Sequence, residues 1–416
     1  MSTIAHREPP RVLLINSGKA EALDRLLATL PDAEVDVLTE ASYAKQYKAG
    51  TRLHFVQDIG DLTEVKRAAL GILGAHRIDA VVGPSERSQQ AAGYLRSYLG
   101  LPGIGYETAN RFSNKAVMKR ELTRAGIPVA DHRVVVGLAG VAAAAEEIGW
   151  PVVVKPALGT GSMNTFAPRS AAEWEALLAS GSCAGLAKGD CPLLVERFVE
   201  MEGEYHCDGV VRDGRVEFVA VSRYFMPLLG GTDAFTGSYI LPEENRDADI
   251  LRALHERAVA ALGLSEGVTH FEAFKTAGGF VAGEIACRPA GGGIVEAIIL
   301  QFGVDLWDAY MRSALGLPVA LPAPVRRTRP DIIVNCDLPI RPGKVVRVSS
   351  AQELAGLPDV VRVTMGTAAG DVIGTRLHSA STTGLVYLAV AEEQQVATRV
   401  AELSAAYVLQ TEPVAD

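Results

Sequence analysis

The sequence predicts a multidomain protein that combines an α/β domain with α+β regions. Its 416 residues exceed the size at which a single hydrophobic core keeps growing, so two or three domains are expected. Strand and helix patterns alternate through the first hundred residues, and short strand patterns follow a proline-rich segment near residue 320. We therefore expect an N-terminal parallel α/β domain, a mixed central region and a β-rich C-terminal domain.

The N-terminal prediction, covering residues 1–108, rests on a β–α–β alternation. Residues 11–18 form an aliphatic run that stops at a polar glycine turn, residues 21–30 have helical apolar spacing, and residues 34–38 indicate a second strand. Because the turn lacks a GxGxxG pattern, it indicates a plain βα connection rather than a dinucleotide site.

The central region, residues 109–320, mixes helices and strands. Asn114 is a suitable N-cap for a helix that continues to about residue 122, and Gly126 to Pro128 would end it. Further strands are indicated at 152–155, 193–199 and 204–211, and further helices at 250–262 and 294–315.

The remaining residues, 321–416, predict a β-rich domain. Residues 321–324 have the composition of a linker, and residues 345–348 and 360–363 alternate like strands. A helix over roughly 392–408 would close the chain.

Composition narrows the possible functions. The net charge of −9 argues against a nucleic-acid surface, which requires a basic face. Five scattered cysteines suggest neither a zinc site nor a disulfide framework. The polar first ten residues are unlike a signal peptide, and no apolar run is long enough to cross a bilayer. We expect a cytoplasmic protein with small-molecule substrates and with neither nucleic acid nor membrane as a partner.

Two glutamates carry the strongest functional signal. Glu272 and Glu284 lie on segments that alternate like strands, separated by the hairpin signal Thr276 to Gly279. Positions symmetric about such a turn face each other on one side of a sheet. Two carboxylates at one spot require a cation, and all-oxygen ligands favour Mg²⁺ bridging phosphates, with Mn²⁺ as an alternative.

A lysine followed by a glycine loop predicts a phosphate contact. Lys155 ends an aliphatic strand and is followed by Gly159, Thr160, Gly161 and Ser162, whose backbone N–H and hydroxyl groups could approach phosphate oxygens. The loop is not a Walker A motif, because no lysine follows in the GK(S/T) form. The alternative is a strand-end lysine that reaches solvent.

Two further segments are candidates for ligand contacts. Glu196, Arg197, Phe198 and Val199 form a strand-to-loop hinge whose peptide groups could bind adenine, although a buried strand ending at a turn explains them as well. The run of Gly291, Gly292 and Gly293 precedes a predicted helix. Free N–H groups at the start of a helix can bind a carboxylate or an acyl phosphate. The alternative is a turn that requires positive φ.

Single polar residues are weaker candidates. Arg288, four residues after Glu284, offers a fork-shaped donor for a carboxylate or phosphoryl oxygen. Asp233 could bind an ammonium group, with a surface loop as the alternative reading. His206 and His270 are as consistent with packed histidines as with ligand contacts.

The chain resembles the ATP-grasp superfamily of carboxylate–amine ligases. The resemblance rests on four features in this order: Asn114–Lys115, Lys155 with its loop, the 196–199 hinge and Glu272…Glu284-x-x-x-Arg288. The resemblance implies a two-lobed ATP-grasp fold, with a small lobe at about 115–200 and a large lobe at about 200–320. It implies that ATP is held by Lys115, Lys155, the 159–162 loop, the hinge and Glu204. Glu272 and Glu284 would hold one or two Mg²⁺ ions, and Lys155 and Arg288 would act in catalysis.

The segments 269–272, 288–293 and 342–346 look most like the L-amino-acid ligase branch. That branch activates a carboxylate as an acyl phosphate and joins it to an amine, which implies that Arg288 and Gly291 to Gly293 contact substrate. Where the family often has asparagine, this chain has Ala286, so a second Mg²⁺ would depend on water ligands. The resemblance also implies a homodimer.

Two alternatives stay open. A carboxylase or purine-pathway ligase would use the same ATP machinery on bicarbonate or formate. A nucleotide-binding regulatory module without catalysis is the other alternative, against which the retained lysines, glutamates and Arg288 argue.

Overall fold

The computed structural model describes residues 8–188, 191–227, 234–322, 326–375, 377 and 381–413. The strands are β1 Arg11–Ile15, β2 Glu34–Glu40, β3 Arg52–Val56, β4 Ala80–Val82, β5 His132–Val135, β6 Val152–Pro156, β7 Leu193–Arg197, β8 Gly203–Arg212, β9 Arg215–Tyr224, β10 Thr236–Ile240, β11 Gly267–Thr276, β12 Gly279–Ala286, β13 Ile332–Asp337, β14 Gly343–Val348, β15 Val360–Met365, β16 Val372–Ile373, β17 Gly384–Val390 and β18 Leu409–Glu412. The α-helices are α1 Ala22–Thr29, α2 Leu62–Ala75, α3 Glu86–Leu99, α4 Tyr106–Arg111, α5 Lys115–Arg124, α6 Val141–Ile148, α7 Ala171–Ala179, α8 Arg246–Leu262, α9 Ile294–Phe302, α10 Leu306–Ala314, α11 Ala351–Ala355 and α12 Val396–Ala406.

The N-terminal region forms the predicted parallel sheet, in the order β3-β2-β1-β4. Strands β1 and β4 are short, largely apolar and almost wholly buried, as expected where both faces are covered. The carboxyl ends of parallel strands meet at one edge, which is where α/β sheets bind ligands. The turns after β1 and β4 therefore open toward the same side of the domain.

The small lobe is a three-stranded antiparallel sheet, β5-β7-β6, with α6 and α7 beside it. Its core contains Trp174, Val152 and Val195. The sheet places the end of β6, which carries Lys155, beside the start of β7. These elements lie within residues 115–200, and the division into a small lobe and a large lobe stays a prediction.

The largest sheet is antiparallel and has eight strands, in the order β12-β11-β8-β9-β10-β13-β17-β15. Helix α8 packs on one face, while α9 and α10 share a core with β1 and β4 of the N-terminal sheet. Strands β13, β15 and β17 come from the region assigned to a separate C-terminal domain. The boundary at residue 320 stays a prediction, but strands on its two sides belong to one sheet.

The sequence of β13 explains this continuity. Ile332, Ile333 and Val334 are consecutive and buried, which is typical of a central strand with both faces covered. The strand pairs with β10 on one side and β17 on the other. A second sheet, β16-β14-β18, completes the C-terminal region. Within the described residues, no helix combines the length and apolar character needed to span a membrane.

Truncation of the chain after Ala320 tests this shared sheet. We expect residues 1–320 to lose cooperative urea unfolding or to aggregate, because removal of β13 would expose the backbone edge of β10 and part of the main core. The measurement is circular dichroism during urea denaturation, with the full chain as control. A soluble fragment with a sharp transition would show that the C-terminal strands are an independent domain.

Candidate active site

A cleft of about 1590 Å³ lies where the N-terminal sheet, the small lobe and the eight-stranded sheet meet. Pockets for one small ligand are typically about 300–1,000 Å³, so this cleft has room for several ligands at once. Its lining includes these predicted site residues: Lys115, Lys155, Gly159, Thr160, Gly161, Ser162, Glu196, Arg197, Phe198, Val199, Glu204, Glu272, Glu284, Arg288, Gly291, Gly292 and Gly293. Asp233 lies outside the described residues.

The two predicted metal-binding glutamates face each other because of a β-bulge. The two-residue turn pairs Thr276 with Gly279, and that register alone would place Gly283 opposite Glu272. A shift between Glu272 and Ala273 leaves Gly283 as the extra residue, so that Glu272 pairs with Glu284. Glycine suits this position, since a Cβ would lie 3.1 Å from the carbonyl oxygen of Glu272.

The surroundings of Glu284 disfavour the ionised form of its carboxyl group. Burial raises the pKa of this carboxyl to about 7, and the nearby Glu86 and Glu272 act in the same direction. Lys115 opposes the shift, with its Nζ 3.0 Å from Glu284 Oε1. A divalent cation between Glu272 and Glu284 would favour the ionised form of Glu284.

Glu86, at the start of α3, is the main site residue that the sequence did not reveal. One carboxylate oxygen lies 3.2 Å from Lys115 Nζ, and the other lies 2.8 Å from a terminal nitrogen of Arg288. Burial alone would raise the pKa of Glu86, but Lys115 and Arg288 outweigh it and hold the pKa well below its usual range. The Ser85–Ser88 capping box fixes the start of this helix.

Glu196 is a buried counter-ion for two lysines. Its oxygens lie 2.6 Å from Lys155 Nζ and 2.9 Å from Lys119 Nζ, and Lys119 also donates to the carbonyl of Ala282 at 3.1 Å. Burial would raise the pKa of Glu196, but the two lysines lower it to about 2. The sequence prediction missed Lys119, although its i,i+4 spacing from Lys115 places both on one face of α5.

The hinge after β7 lies along the cleft. Phe198 donates its backbone N–H to the carbonyl of Pro151 at 2.9 Å, which fixes the point where the strand ends. Residues 198–201 then line the cleft. The Glu196 side chain, in contrast, is directed to Lys119 and Lys155.

Both glycine loops have left-handed residues. In the 159–162 loop, Gly161 and Ser162 have φ of 62° and 57°, and the carbonyl of Gly159 accepts from Lys115 Nζ at 2.7 Å. In the second loop, Gly293 has φ of 72° and is the N-cap of α9, with no side-chain cap. A Cβ on Gly293 would come within 2.6 Å of Tyr387 Oη, so this turn requires glycine.

A buried hydrogen-bond network joins the Glu272 carboxylate to the second glycine loop. In sequence of contact its members are Glu272, His270, Asp208, His206, Ser238, Asn335 and Gly292. Burial would lower the pKa of His270, but Asp208 and Glu272 outweigh it and raise the pKa to about 10. His270 therefore faces the site as a cation beside Glu272, and the network orients both ends of the cleft.

Lys19 enters the cleft from the turn after β1, which the sequence indicated only as a plain connection. Its Nζ lies 5.9 Å from the centre of the Trp307 ring and 3.9 Å from the position of a Cβ on Gly291. Burial, followed by the positive charge of Arg288, lowers the pKa of Lys19 to about 8. Nothing in the local sequence distinguishes this lysine from a surface residue.

Asp337, the last residue of β13, also lines the cleft. Its Oδ1 is buried and has no hydrogen-bond partner among the described residues. Burial raises the pKa of this carboxyl to about 7. The sequence prediction missed it because β13 lies beyond the region in which site residues were expected.

Replacement of Glu196 tests the buried lysine pair. We expect Glu196→Gln to destabilise the protein by about 3 kcal/mol or more, because Lys119 would be left in the interior without its counter-ion. The measurement is urea denaturation at pH 7. Glu147→Gln, which breaks the exposed pair with Arg133, is the control and should cost less than about 1 kcal/mol. Equal losses in both variants would contradict the proposed difference.

The raised pKa of Asp337 predicts a pH dependence of stability. Between about pH 4 and 7 the native state holds a proton on Asp337 that the unfolded chain has released, so its contribution to stability is full below pH 4 and is lost as the pH rises through 7. As the pH rises, the free energy of unfolding of wild type should therefore fall relative to that of Asp337→Asn by up to about 1.4 kcal/mol per pH unit. Urea denaturation from pH 5 to 8 measures this difference, and parallel curves would contradict it.

Comparisons with known proteins agree with this geometry. Residues 114–224 match the family described as "Carbamoyl-phosphate synthase L chain, ATP binding domain". The chain is 34% identical to the L-arginine-specific L-amino acid ligase of Bacillus subtilis over 406 residues, which is 96% of this chain and 97% of that protein. It is 27% identical to the alanine–anticapsin ligase of Bacillus subtilis over 66% of this chain and 62% of the relative.

The fold is shared with solved ligases. The crystal structure of L-amino acid ligase from Bacillus licheniformis superposes with a TM-score of 0.77, covering 98% of this chain and 100% of that chain at 16% identity. This likeness establishes the fold, while the 34% identity over nearly the whole chain establishes the family. The protein belongs to the ATP-grasp carboxylate–amine ligases, in the L-amino acid ligase branch, and is an ATP-dependent enzyme that forms C–N bonds.

Proposed function

We propose that the protein activates the carboxylate of an amino acid as an acyl phosphate and joins it to the amine of a second amino acid. The observation that carries the proposal is the convergence, in one cleft, of the carboxylate pair Glu272 and Glu284, the cations Lys155 and Arg288, and the glycine turn at the start of α9. Together these groups suit a triphosphate, a divalent cation and a carboxylate.

ATP would bind between the small lobe and the eight-stranded sheet. The backbone of residues 198–201 would take the adenine, and Lys115 and Lys155 would contact phosphate oxygens. Each lysine already has a carboxylate partner, Glu86 or Glu196, that keeps its charge in place inside the cleft. The phosphates would therefore contact cations that are already held in position, rather than flexible surface lysines.

The residues present fit Mg²⁺, with Mn²⁺ as a close substitute. Glu272 and Glu284 are directly cross-strand, and burial raises the pKa of Glu284 to about 7, a shift that a bound cation would oppose. The buried Ala286 supplies no ligand, so water would complete the shell. When bound, the ion would supply charge neutralisation at the transferred phosphoryl group.

The reaction would run in two steps. First, a carboxylate oxygen attacks the γ-phosphorus of ATP, the bond to the β-phosphate oxygen breaks, and ADP leaves. Next, a neutral amine attacks the acyl carbon, phosphate leaves, and the nitrogen releases a proton to give the amide. Arg288 and the backbone N–H groups at the start of α9 would offset negative charge on the acyl phosphate.

The relatives suggest which acids to examine first. Because the Bacillus subtilis relative is named for L-arginine, we propose L-arginine as the first activated acid to test. Bicarbonate and formate, the substrates of the alternative ligases, belong in the same panel. Cytoplasmic location and dimerisation stay predictions.

ADP release and hydroxamate formation test the function. With MgATP, we expect ADP release that requires an L-amino acid, and a hydroxamate when hydroxylamine is present, because hydroxylamine traps the acyl phosphate. The assay covers single amino acids, amino-acid pairs, bicarbonate and formate. Turnover with bicarbonate or formate alone, or ATP binding without any turnover, would overturn the proposal.

Glu284→Gln tests the carboxylate pair. We expect kcat for ADP release to fall by at least about a hundredfold, because one anionic ligand for the cation at the phosphoryl group is lost. Glu256→Gln, an exposed change on α8, is the control and should keep wild-type kcat. Activity of Glu284→Gln within threefold of the control would contradict the assigned role.

A further inference from the structure

Asp337 occupies a defined place beside the second glycine loop. It ends β13 two residues after Asn335, so the two side chains lie on the same face of the strand. Asn335 donates to the carbonyl of Gly292 at 2.8 Å. A Cβ on Gly292 would lie 3.4 Å from Asp337 Oδ2. The carboxylate therefore borders the turn that precedes α9.

Asp337 differs from Glu86 and Asp208 in the partners of its carboxylate. Glu86 is paired with Lys115 and Arg288, and Asp208 is paired with two histidines. Asp337, in contrast, has an Oδ1 with no hydrogen-bond partner in the described part of the chain, and burial dominates its pKa. An unpaired carboxylate in such a place costs stability, so its presence points to a ligand that pairs with it.

The loop has groups of opposite charge on its two flanks. Lys19 Nζ lies 3.9 Å from the position of a Cβ on Gly291, and Asp337 Oδ2 lies 3.4 Å from the equivalent position on Gly292. Adjacent Cα atoms are about 3.8 Å apart, so the two charges are at most about 14 Å apart across the loop. A zwitterion bound here would place its carboxylate on the Lys19 and Arg288 side and its cation toward Asp337.

An organic cation suits Asp337 better than a metal ion. Among the described residues, His206, Asp208 and His270 are the group of acidic and histidine side chains close enough together to share a metal, and Asp337 is not part of it. Leu385, which is opposite Asp337 on β17, and the nearby Tyr387 supply no further carboxylate. An ammonium group has three N–H donors and needs no closed shell of anionic ligands.

We propose that Asp337 binds the α-ammonium group of the amino acid whose carboxylate is activated, an inference that rests on the proposed function. The carboxylate of that substrate would lie toward Arg288 and the Gly291–Gly293 turn. Held against Asp337, the amine stays protonated and has no lone pair to attack an acyl phosphate. Asp337 would thereby determine which of two amino acids contributes its carboxyl group to the new bond.

A cationic side chain of the substrate is the alternative partner for Asp337. A series of substrates distinguishes this side chain from the α-ammonium group. L-Arginine has both cations, L-norvaline retains only the α-ammonium, and 5-guanidinopentanoate retains only the guanidinium group. The assay is ADP release and hydroxamate formation with MgATP for each acid, using the full chain. We expect wild type to activate L-norvaline and to activate 5-guanidinopentanoate at least about a hundredfold less well.

Asp337→Asn should then remove this preference. We expect kcat/KM for L-norvaline to fall at least about a hundredfold, while kcat/KM for 5-guanidinopentanoate changes less than threefold. The affinity for MgADP, measured by calorimetry, should be unchanged, which separates this role from a general loss of the fold. Asp331→Asn, just before the same strand, is the matched control and should behave as wild type. If Asp337→Asn does not fold, Asp337→Ser takes its place in the same assay.

The outcomes distinguish this inference from the function on which it rests. Activation of L-norvaline by Asp337→Asn at the wild-type rate would overturn the role of Asp337 and leave the ligase intact. A wild-type requirement for the guanidinium group, lost in Asp337→Asn, would overturn α-ammonium binding in favour of side-chain recognition. Amino-acid-independent turnover by wild type would overturn the proposed function and this inference together.

Discussion

The pairing of buried charges is the constraint on which the site depends. Lys115 and Arg288 come from distant parts of the chain, and both are held by one carboxylate, Glu86, at the start of an N-terminal helix. A buried cation without a partner is strongly destabilising, so the N-terminal sheet and the eight-stranded sheet must meet in one arrangement. The same logic fixes Lys119 and Lys155 around Glu196. The cleft is thus lined by cations whose positions are set before any ligand arrives.

The eight-stranded sheet extends this constraint to the substrate side. Neighbouring strands bring His270, Asp208 and His206 into a chain of hydrogen bonds, which continues through Ser238 and Asn335 to the glycine turn before α9. Because Asn335 belongs to β13, the C-terminal strands take part in orienting the site as well as in closing the core. Oδ1 of Asp337, on the same strand, has no hydrogen-bond partner among the described residues, which is why its geometry points to a substrate.

Much of this arrangement could be predicted from particular residues. The hairpin that carries Glu272 and Glu284 is visible in its alternation and in the glycines of its turn, and the asparagine cap before Lys115 marks the start of α5. The prediction of facing glutamates is confirmed, but the register depends on a bulge at Gly283 that symmetry about the turn does not reveal. Glu86 and Lys19 could not be predicted, because a helix-start glutamate and a loop lysine look like ordinary surface residues.

The order of the main elements, the parallel N-terminal sheet and the charged residues of the central region could be predicted from the amino-acid sequence alone. These features follow from local periodicity, capping and turn chemistry, which act over a few residues. Three features became visible only in the folded chain: the large sheet continues past residue 320, Glu86 joins Lys115 to Arg288, and Asp337 borders Gly292 with no described hydrogen-bond partner for its Oδ1. Those outcomes depend on contacts between residues far apart in sequence, since the cost of burying a charge is settled only when distant elements pack together.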